Sequence, residues 1–351
     1  MDAFVQTTNK TIADFRQLDD ESSLPQTYRD AILVTREMSL AYLWIDAFCI
    51  IQGDAKDWAE QSQKMADICG RAHVTIAAST SKRVADGFLG PRTGASAYCG
   101  ILSTAAGERK LMLRPLVLIN YEPPISREPL ESRGWAVQER MLSQRTLYFC
   151  RDQVVWECDA MVALEADPSS EFSEKRVFHS LSMNDEGNSG LEEGTQLHDT
   201  IQDMTRKDLD TNQWQSLIRI YSKCKLTKFS DRLPALSGLA MKFAKAHETY
   251  IAGHWLENLP AALTWRGVAN ADAPTPVSCS PSWAWSTFPG PVQSDLSLDP
   301  EAYSHTNQQL QMDRHEGLRI TSVVNLTVHH TTANKFGEVS YGEIQLMARL
   351  C

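Results

Sequence analysis

Apolar positions near the start of the chain alternate between helical and strand-like spacing. After Pro25 they recur every three to four residues, and proline suits the first turn of a helix, so we predict a helix from about Pro25 to Met38. The next run, 40–51, is short and rich in aromatic and β-branched residues, which predicts a strand buried on both faces. The run breaks at Gly53, so we expect its carboxyl end at the rim of a sheet.

The following segments repeat this alternation. Asp57 can cap a second helix, and a short strand is predicted at 73–78. The inward positions of that helix are predicted to be Trp58, Met65, Ile68 and Ala72. Because consecutive parallel strands need helical crossovers, the pattern predicts an α/β fold with an open, mostly parallel sheet and flanking helices.

The chain is less regular beyond this point. Residues 85–104 are rich in Gly, Pro and Ser and predict a loop, whereas 110–115 predict a strand before a helix that starts near Arg133. Segments 145–150 and 153–158 are separated by two residues and predict a hairpin.

These elements divide the chain into three parts. We expect residues 1–160 to form the α/β domain. Residues 161–205 are predicted to be an acidic, serine-rich linker or surface loop, because they contain too few large apolar residues to bury a core. Residues 206–351 are expected to form a mixed helical and β region with a β-leaning tail from Leu318.

Composition narrows the functional classes. The 351 residues carry a net charge of -10 with a pI near 5.4, which argues against nucleic acid as a partner. No apolar stretch approaches the roughly 20 residues that span a bilayer, so we expect a cytoplasmic protein without a membrane span. The eight cysteines form no Cys-x-x-Cys pair, and His329 and His330 should face opposite sides of a strand, so we assign no metal.

Three segments combine aromatic anchors with polar groups: 42–52, 133–140 and 281–286. In the last, Trp283 and Trp285 are predicted to lie on one face of a strand, where packing is the expected role and a ligand-stacking platform the alternative. The candidate binding residues are Trp44, Cys49, Gln52, Arg133, Trp135 and Gln138.

These segments resemble the fungal heterokaryon incompatibility (HET) family. The resemblance rests on residues 24–32, 43–52, 58–77 and 133–140, in order and spacing, and it extends beyond the core through 221–227, 231–240, 250–255 and 281–286. HET domains usually open with a strand that carries Leu-Ser-Tyr-x-Trp-Gly, and nothing from Met1 to Ser23 matches it. We therefore expect an incomplete domain whose open sheet edge favours self-association, or a natural start upstream of Met1.

The resemblance implies a role in self/non-self recognition and in programmed cell death when unlike hyphae fuse. It also suggests a remote relation to the TIR fold, some of whose members cleave NAD. On that basis NAD is a candidate substrate, and no cofactor is assigned. The candidate acids for glycosidic cleavage are Glu139, Asp46 and Glu60.

Each of these residues also has a structural interpretation. Asp46 can cap the next loop or pair with Arg133, Glu60 suits the first turn of a helix, and Glu139 can join an ion-pair network with Arg133. Cys49 in an apolar strand is more often a small buried hydrophobe than a nucleophile. We predict that Asp46, Arg133 and Glu139 share one cleft, because a strand end and a following helix meet at the crevice of an open sheet.

Three functions remain open at this stage. The leading one is a HET-type protein of self/non-self recognition and cell death, with NAD cleavage as its chemistry. The second is a non-catalytic interaction module that binds a protein partner or itself. The third is an enzyme of fungal secondary metabolism in which Asp46 and Glu139 serve as general acid and base.

Overall fold

The computed structural model describes most, but not all, of the chain. The described residues are 5–16, 20–92, 98–104, 107–113, 125, 128–165, 167–172, 211–244, 249–268, 280–294 and 318–350. By contacts they fall into two compact units that interleave along the chain, whereas the division expected from the sequence is consecutive. The first unit comprises 1–54, 72–131 and 143–194, and the second comprises 55–71, 132–142 and 195–351.

The regular elements follow in chain order. The helices are α1 Ile12–Phe15, α2 Gln26–Glu37, α3 Asp46–Cys49, α4 Ala55–Arg71, α5 Gly134–Leu142, α6 Thr211–Tyr221, α7 Pro234–Phe243 and α8 Leu259–Ala262. The strands are β1 Thr75–Ala77, β2 Tyr98–Thr104, β3 Gly107–Leu113, β4 Arg145–Phe149, β5 Val154–Cys158, β6 Val162–Leu164, β7 Asp167–Phe172, β8 Tyr250–Ile251, β9 His254–Trp255, β10 Trp265–Gly267, β11 Val292–Ser294, β12 Leu318–His330 and β13 Val339–Leu350. The mixed α/β class predicted from the sequence is confirmed.

The central sheet of the first unit is mixed rather than mostly parallel. Its order is β1-β4-β5-β6-β7, and among these described strands only the β1–β4 pairing is parallel, while β4–β5, β5–β6 and β6–β7 are antiparallel. The tight connections between the later strands explain the difference, since a short turn can join only antiparallel neighbours. Strands β6 and β7 lie within the predicted linker and extend this sheet, and residues 173–205 lie outside the described part.

Both faces of this sheet are covered. On one face Ala31 and Val34 of α2 pack with Phe88 and Phe149. On the other, Tyr148 and Val155 join a second cluster with Ala77, Ile125 and Cys150. Neighbouring residues of β4 therefore enter different clusters, as expected for side chains that alternate across a strand.

Helix α2 ends in a capping motif in which two backbone hydrogen bonds satisfy carbonyl groups of its last turn. The Ser39 N–H donates to the Arg36 carbonyl (2.8 Å) and the Leu40 N–H to the Thr35 carbonyl (3.0 Å). Ser39 has φ 57°, a left-handed conformation that glycine adopts more easily. This cap explains why the helix stops one residue before the predicted Met38.

The strand predicted at 40–51 is wrong. Residues 41–45 belong to no strand, and α3 begins at Asp46. Leu43 and Ile45 still pack into the core while Tyr42 is 93% exposed, so the alternation of an extended segment is present without a partner strand. The apolar pattern indicated extended backbone, which is present at 41–45, but it did not indicate that a helix would begin at Asp46.

Two further predictions are wrong in the same way. The predicted loop at 85–104 contains β2, which pairs with β3 in an antiparallel hairpin. Trp285 begins a short 3-10 helix, Trp285–Thr287, and Trp283 precedes it in a turn, so the two do not alternate on a strand.

The second unit contains a helical group and small β elements. Helices α4, α5 and α7 pack against one another, and Met65 is the buried member of the four predicted inward positions of α4. The pairs β8–β9, β10–β11 and β12–β13 are antiparallel. Helices α6 and α7 and a β hairpin from Leu318 are observed in the region where helices and a β-leaning tail were expected.

Candidate functional site

Asp46 is the first residue of α3, and its side chain binds the backbone of the next residue. Its Oδ1 accepts the Ala47 N–H (2.7 Å), and the residue is exposed. Gln52 binds the same turn, since its Nε2 donates to the carbonyls of Ile50 (3.1 Å) and Asp46 (3.3 Å). An exposed acid in the first turn of a helix is favourable without any catalytic role, so a local structural role accounts for this geometry.

Cys49 is exposed, not buried as expected from the strand interpretation. Desolvation nevertheless raises the pKa of its thiol, and the Asp46 charge raises it further. A raised pKa favours the neutral thiol, which is a weak nucleophile. Trp44, two residues before Asp46, is 36% exposed and belongs to the surface of the same segment.

The candidate residues of α5 make contacts with the segment that leads into α7. The Trp135 Nε1 donates to Asp231 Oδ2 (3.3 Å), and the Gly238 N–H donates to Gln138 Oε1 (2.7 Å). Gln138 is fully buried, and its Nε2 has no hydrogen-bond partner among the described residues. The Trp135 and Gln138 side chains therefore each link α5 to a segment about 100 residues further along the chain. This is a structural role.

The two charged candidates on this segment differ in exposure. Arg133 is exposed, and its backbone is held by a bridge to Lys225, with the Gly134 N–H donating to the Lys225 carbonyl (2.9 Å). Glu139 is half-buried, and its charge adds to the burial that raises the pKa of Cys69 to about 12. Glu60 is exposed on α4.

The predicted common cleft of Asp46, Arg133 and Glu139 stays a prediction. Asp46 belongs to the first unit, and Arg133 and Glu139 belong to the second.

Sequence reasoning missed a polar cluster at the carboxyl ends of the two parallel strands. Ser79 follows β1 and Cys150 follows β4, and both are buried. Glu128 contributes a carboxylate to the same place: its Oε1 accepts the Arg151 N–H (2.8 Å). Oε2 has no hydrogen-bond partner among the described residues, although Glu128 is only 5% exposed. We call Ser79, Glu128 and Cys150 the edge cluster.

Burial shifts the pKa values of two groups of the edge cluster upward. Burial is the main cause that raises the pKa of Glu128, opposed by the Arg151 N–H and the Arg151 charge. Burial also raises the pKa of the Cys150 thiol, and the charges of Glu128, Asp152 and Glu131 add to the effect. The crevice was expected at the end of the 40–51 run, and nothing in the local pattern singled out Glu128.

The described residues contain neither a metal-binding group nor a membrane-spanning helix. Among them, no three His, Cys, Asp or Glu side chains are grouped to hold a metal ion. His329 is exposed and packs near Tyr341, with ring centroids 5.7 Å apart, while His330 is half-buried. None of the described helices has the length and apolar character to cross a bilayer.

These observations define a mixed α/β protein with polar groups gathered at the ends of its parallel strands. Residues 3–139 match the family described as Heterokaryon incompatibility protein (HET), so this part of the chain is similar to that family. The match includes every candidate residue named above from Trp44 to Glu139, together with Ser79 and Glu128 of the edge cluster. Comparison with curated proteins gave no match, and comparison with solved structures gave none either.

Proposed function

We propose that this protein acts in fungal self/non-self recognition of the heterokaryon incompatibility type and that its action leads to programmed cell death. The observation that carries the proposal is the family match over residues 3–139. The composition adds support for a cytoplasmic site of action, since the chain is acidic and no described helix suits a bilayer.

Two modes of action are compatible with that role. In the catalytic mode, a TIR-like site cleaves the nicotinamide bond of NAD, and Glu139 is the best candidate acid because it is half-buried, whereas Asp46 and Glu60 are exposed. Partial burial supports catalysis, since it strengthens the interaction of a carboxylate with a developing positive centre.

In the second mode the protein works by binding a protein partner, without turnover. Its support is the segment that precedes Asp46: Tyr42 is 93% exposed and Trp44 is 36% exposed, while the residues between and after them pack inward. Exposed aromatic side chains on an extended segment suit protein contacts, because they supply a large contact area at low entropic cost.

An inducible expression experiment in a filamentous fungus tests the proposal. We expect the parent protein to reduce viability, and the cellular NAD content measured over the same period distinguishes the two modes. Loss of NAD before death supports the catalytic mode, and death at constant NAD supports the binding mode. If expression at a verified protein level leaves viability unchanged, the proposed cell-death role is wrong.

Glu139→Gln then tests the catalytic acid. The substitution keeps the size and hydrogen-bonding capacity of the side chain but removes its charge, so we expect it to abolish NAD loss in the catalytic mode. Glu37→Gln, the same change at an exposed position of α2, is the matched control. A folded Glu139→Gln protein with full NAD consumption would show that Glu139 has only a structural role.

A further inference from the structure

Two strands end side by side at one edge of the central sheet. β1 and β4 are parallel, with Ala77 aligned with Tyr148, so the residues that follow them emerge at the same edge. Ser79 lies two residues beyond β1, and Cys150 follows β4 directly. Open α/β sheets bind ligands in this position, because neighbouring connections leave a crevice there.

Glu128 is held at this edge from two sides. The Leu130 N–H donates to the Ser79 carbonyl (3.4 Å), which ties the 128–130 segment to the end of β1. The Arg151 N–H donates to Glu128 Oε1 (2.8 Å), which ties the carboxylate to the end of β4. The second carboxylate oxygen, Oε2, is buried and has no partner among the described residues. A buried acceptor without a donor costs free energy, so a donor supplied from outside the chain would bind favourably here.

The surrounding charges indicate which donor fits. Glu128, Glu131 and Asp152 all act electrostatically on the Cys150 thiol. Arg151 supplies the opposing positive charge beside Glu128, and its side chain is exposed. Arg92 also acts electrostatically on Asp152, so the charge that selects the ligand is that of Glu128 itself. Its unpaired carboxylate oxygen can only accept a hydrogen bond, and a cationic N–H group is its strongest donor.

We propose that the edge cluster binds a small organic cation, with an ammonium or guanidinium N–H donating to Glu128 Oε2. A charge-assisted hydrogen bond of this kind is stronger than one between neutral groups. Ser79 and Cys150 line the site beside it. The proposal concerns ligand binding alone and holds whether or not the protein causes cell death.

Cation binding at this position requires the ionised carboxylate and is therefore coupled to a proton. Burial raises the pKa of Glu128, so its neutral form persists to higher pH than that of an exposed glutamate and must lose its proton when the cation binds. The groups that face it are Arg151 and Asp152 from the β4–β5 turn, Glu131 from the 3-10 helix Pro129–Ser132, and Cys150. We expect affinity to increase as the pH rises through the Glu128 pKa.

Calorimetric titration of the full chain with n-butylammonium and n-butylguanidinium tests the proposal, with butan-1-ol as the uncharged control. We expect saturable binding of at least one cation and none of the alcohol. In Glu128→Gln one amide oxygen can still accept the Arg151 N–H, but an NH2 group replaces the free acceptor, so affinity should fall roughly tenfold or more. Glu37→Gln should bind like the parent.

A second measurement on the parent protein keeps the test independent of whether Glu128→Gln folds. A hydrophobic carbodiimide modifies protonated, buried carboxyl groups, and peptide mass spectrometry reports the extent of labelling at Glu128. We expect the bound cation to slow this labelling and butan-1-ol to leave it unchanged. Equal affinity in the parent and Glu128→Gln, absence of binding by both cations, or labelling that the cation does not slow would each overturn the proposal.

Discussion

Replacement of Gly253 by alanine should strongly destabilise the second unit. Gly253 and Ala252 form the two-residue turn between β8 and β9, and both have positive φ angles, 96° and 47°. Two-residue hairpins prefer this kind of turn because its twist matches that of the strands. The Gly253 carbonyl also accepts the indole N–H groups of Trp214 (2.9 Å) and Trp285 (3.1 Å).

The expected magnitude follows from two separate costs. A left-handed backbone costs a non-glycine residue about 1–2 kcal/mol. An added Cβ would also overlap Trp285 Nε1 and lie 2.9 Å from its Cε2 and 3.1 Å from Leu233 Cδ2. Both neighbours are buried side chains with little room to move, and overpacking of this kind costs about 1–3 kcal/mol. We therefore expect a loss of about 2–5 kcal/mol in the free energy of unfolding.

Urea unfolding followed by tryptophan fluorescence measures this loss. Gly90→Ala is the matched control, because Gly90 is exposed and a Cβ there would meet no atom within 4 Å. We expect the control to change stability by less than about 0.5 kcal/mol. A Gly253→Ala protein that loses less than about 1 kcal/mol would refute the reasoning, since either cost alone should reach that value.

Two further predictions concern the end of α2 and a buried histidine. Ser39→Gly should increase the free energy of unfolding by about 0.5–1 kcal/mol, because glycine relieves the left-handed strain at φ 57°; a decrease in urea melts would contradict this. Burial lowers the pKa of His254 to about 3 from an ordinary value of 6.5, so the unfolded state binds more protons and stability falls as the pH drops below about 6.5. By pH 4 the free energy of unfolding should have fallen by about 3 kcal/mol from this source. Urea melts at pH 7 and pH 4 should therefore show a smaller decrease for His254→Leu than for the parent. An equal decrease in both proteins would exclude His254 as the source.

Local sequence signals determined the elements whose stability is itself local. The helix predicted at 25–38 is observed as Gln26–Glu37, and the hairpin predicted at 145–158 is observed as β4 and β5. In each case the element depends on the spacing of its own apolar residues and on the residues at its two ends. These signals act within a few positions along the chain, so the element can be predicted from the sequence.

Tertiary contacts decided the elements whose local pattern fits more than one structure. The apolar run at 40–51 suits a strand, but a strand also needs a partner for its backbone, and here the chain turns into α3 at Asp46 instead. The sheet was predicted to be mostly parallel, but β4–β7 pair antiparallel, since the side-chain alternation of a strand is the same in both arrangements and does not report the pairing.

The polar groups of the candidate sites show the same division. The sequence alone indicated that 42–52 and 133–140 combine aromatic and polar residues, and the HET family was recognised from those segments. It could not show that Gln138 would meet Gly238 or that Glu128 would be buried with one oxygen unpaired. Burial and hydrogen-bond partners depend on residues distant in the chain, so they exist only once the tertiary structure has brought those residues together.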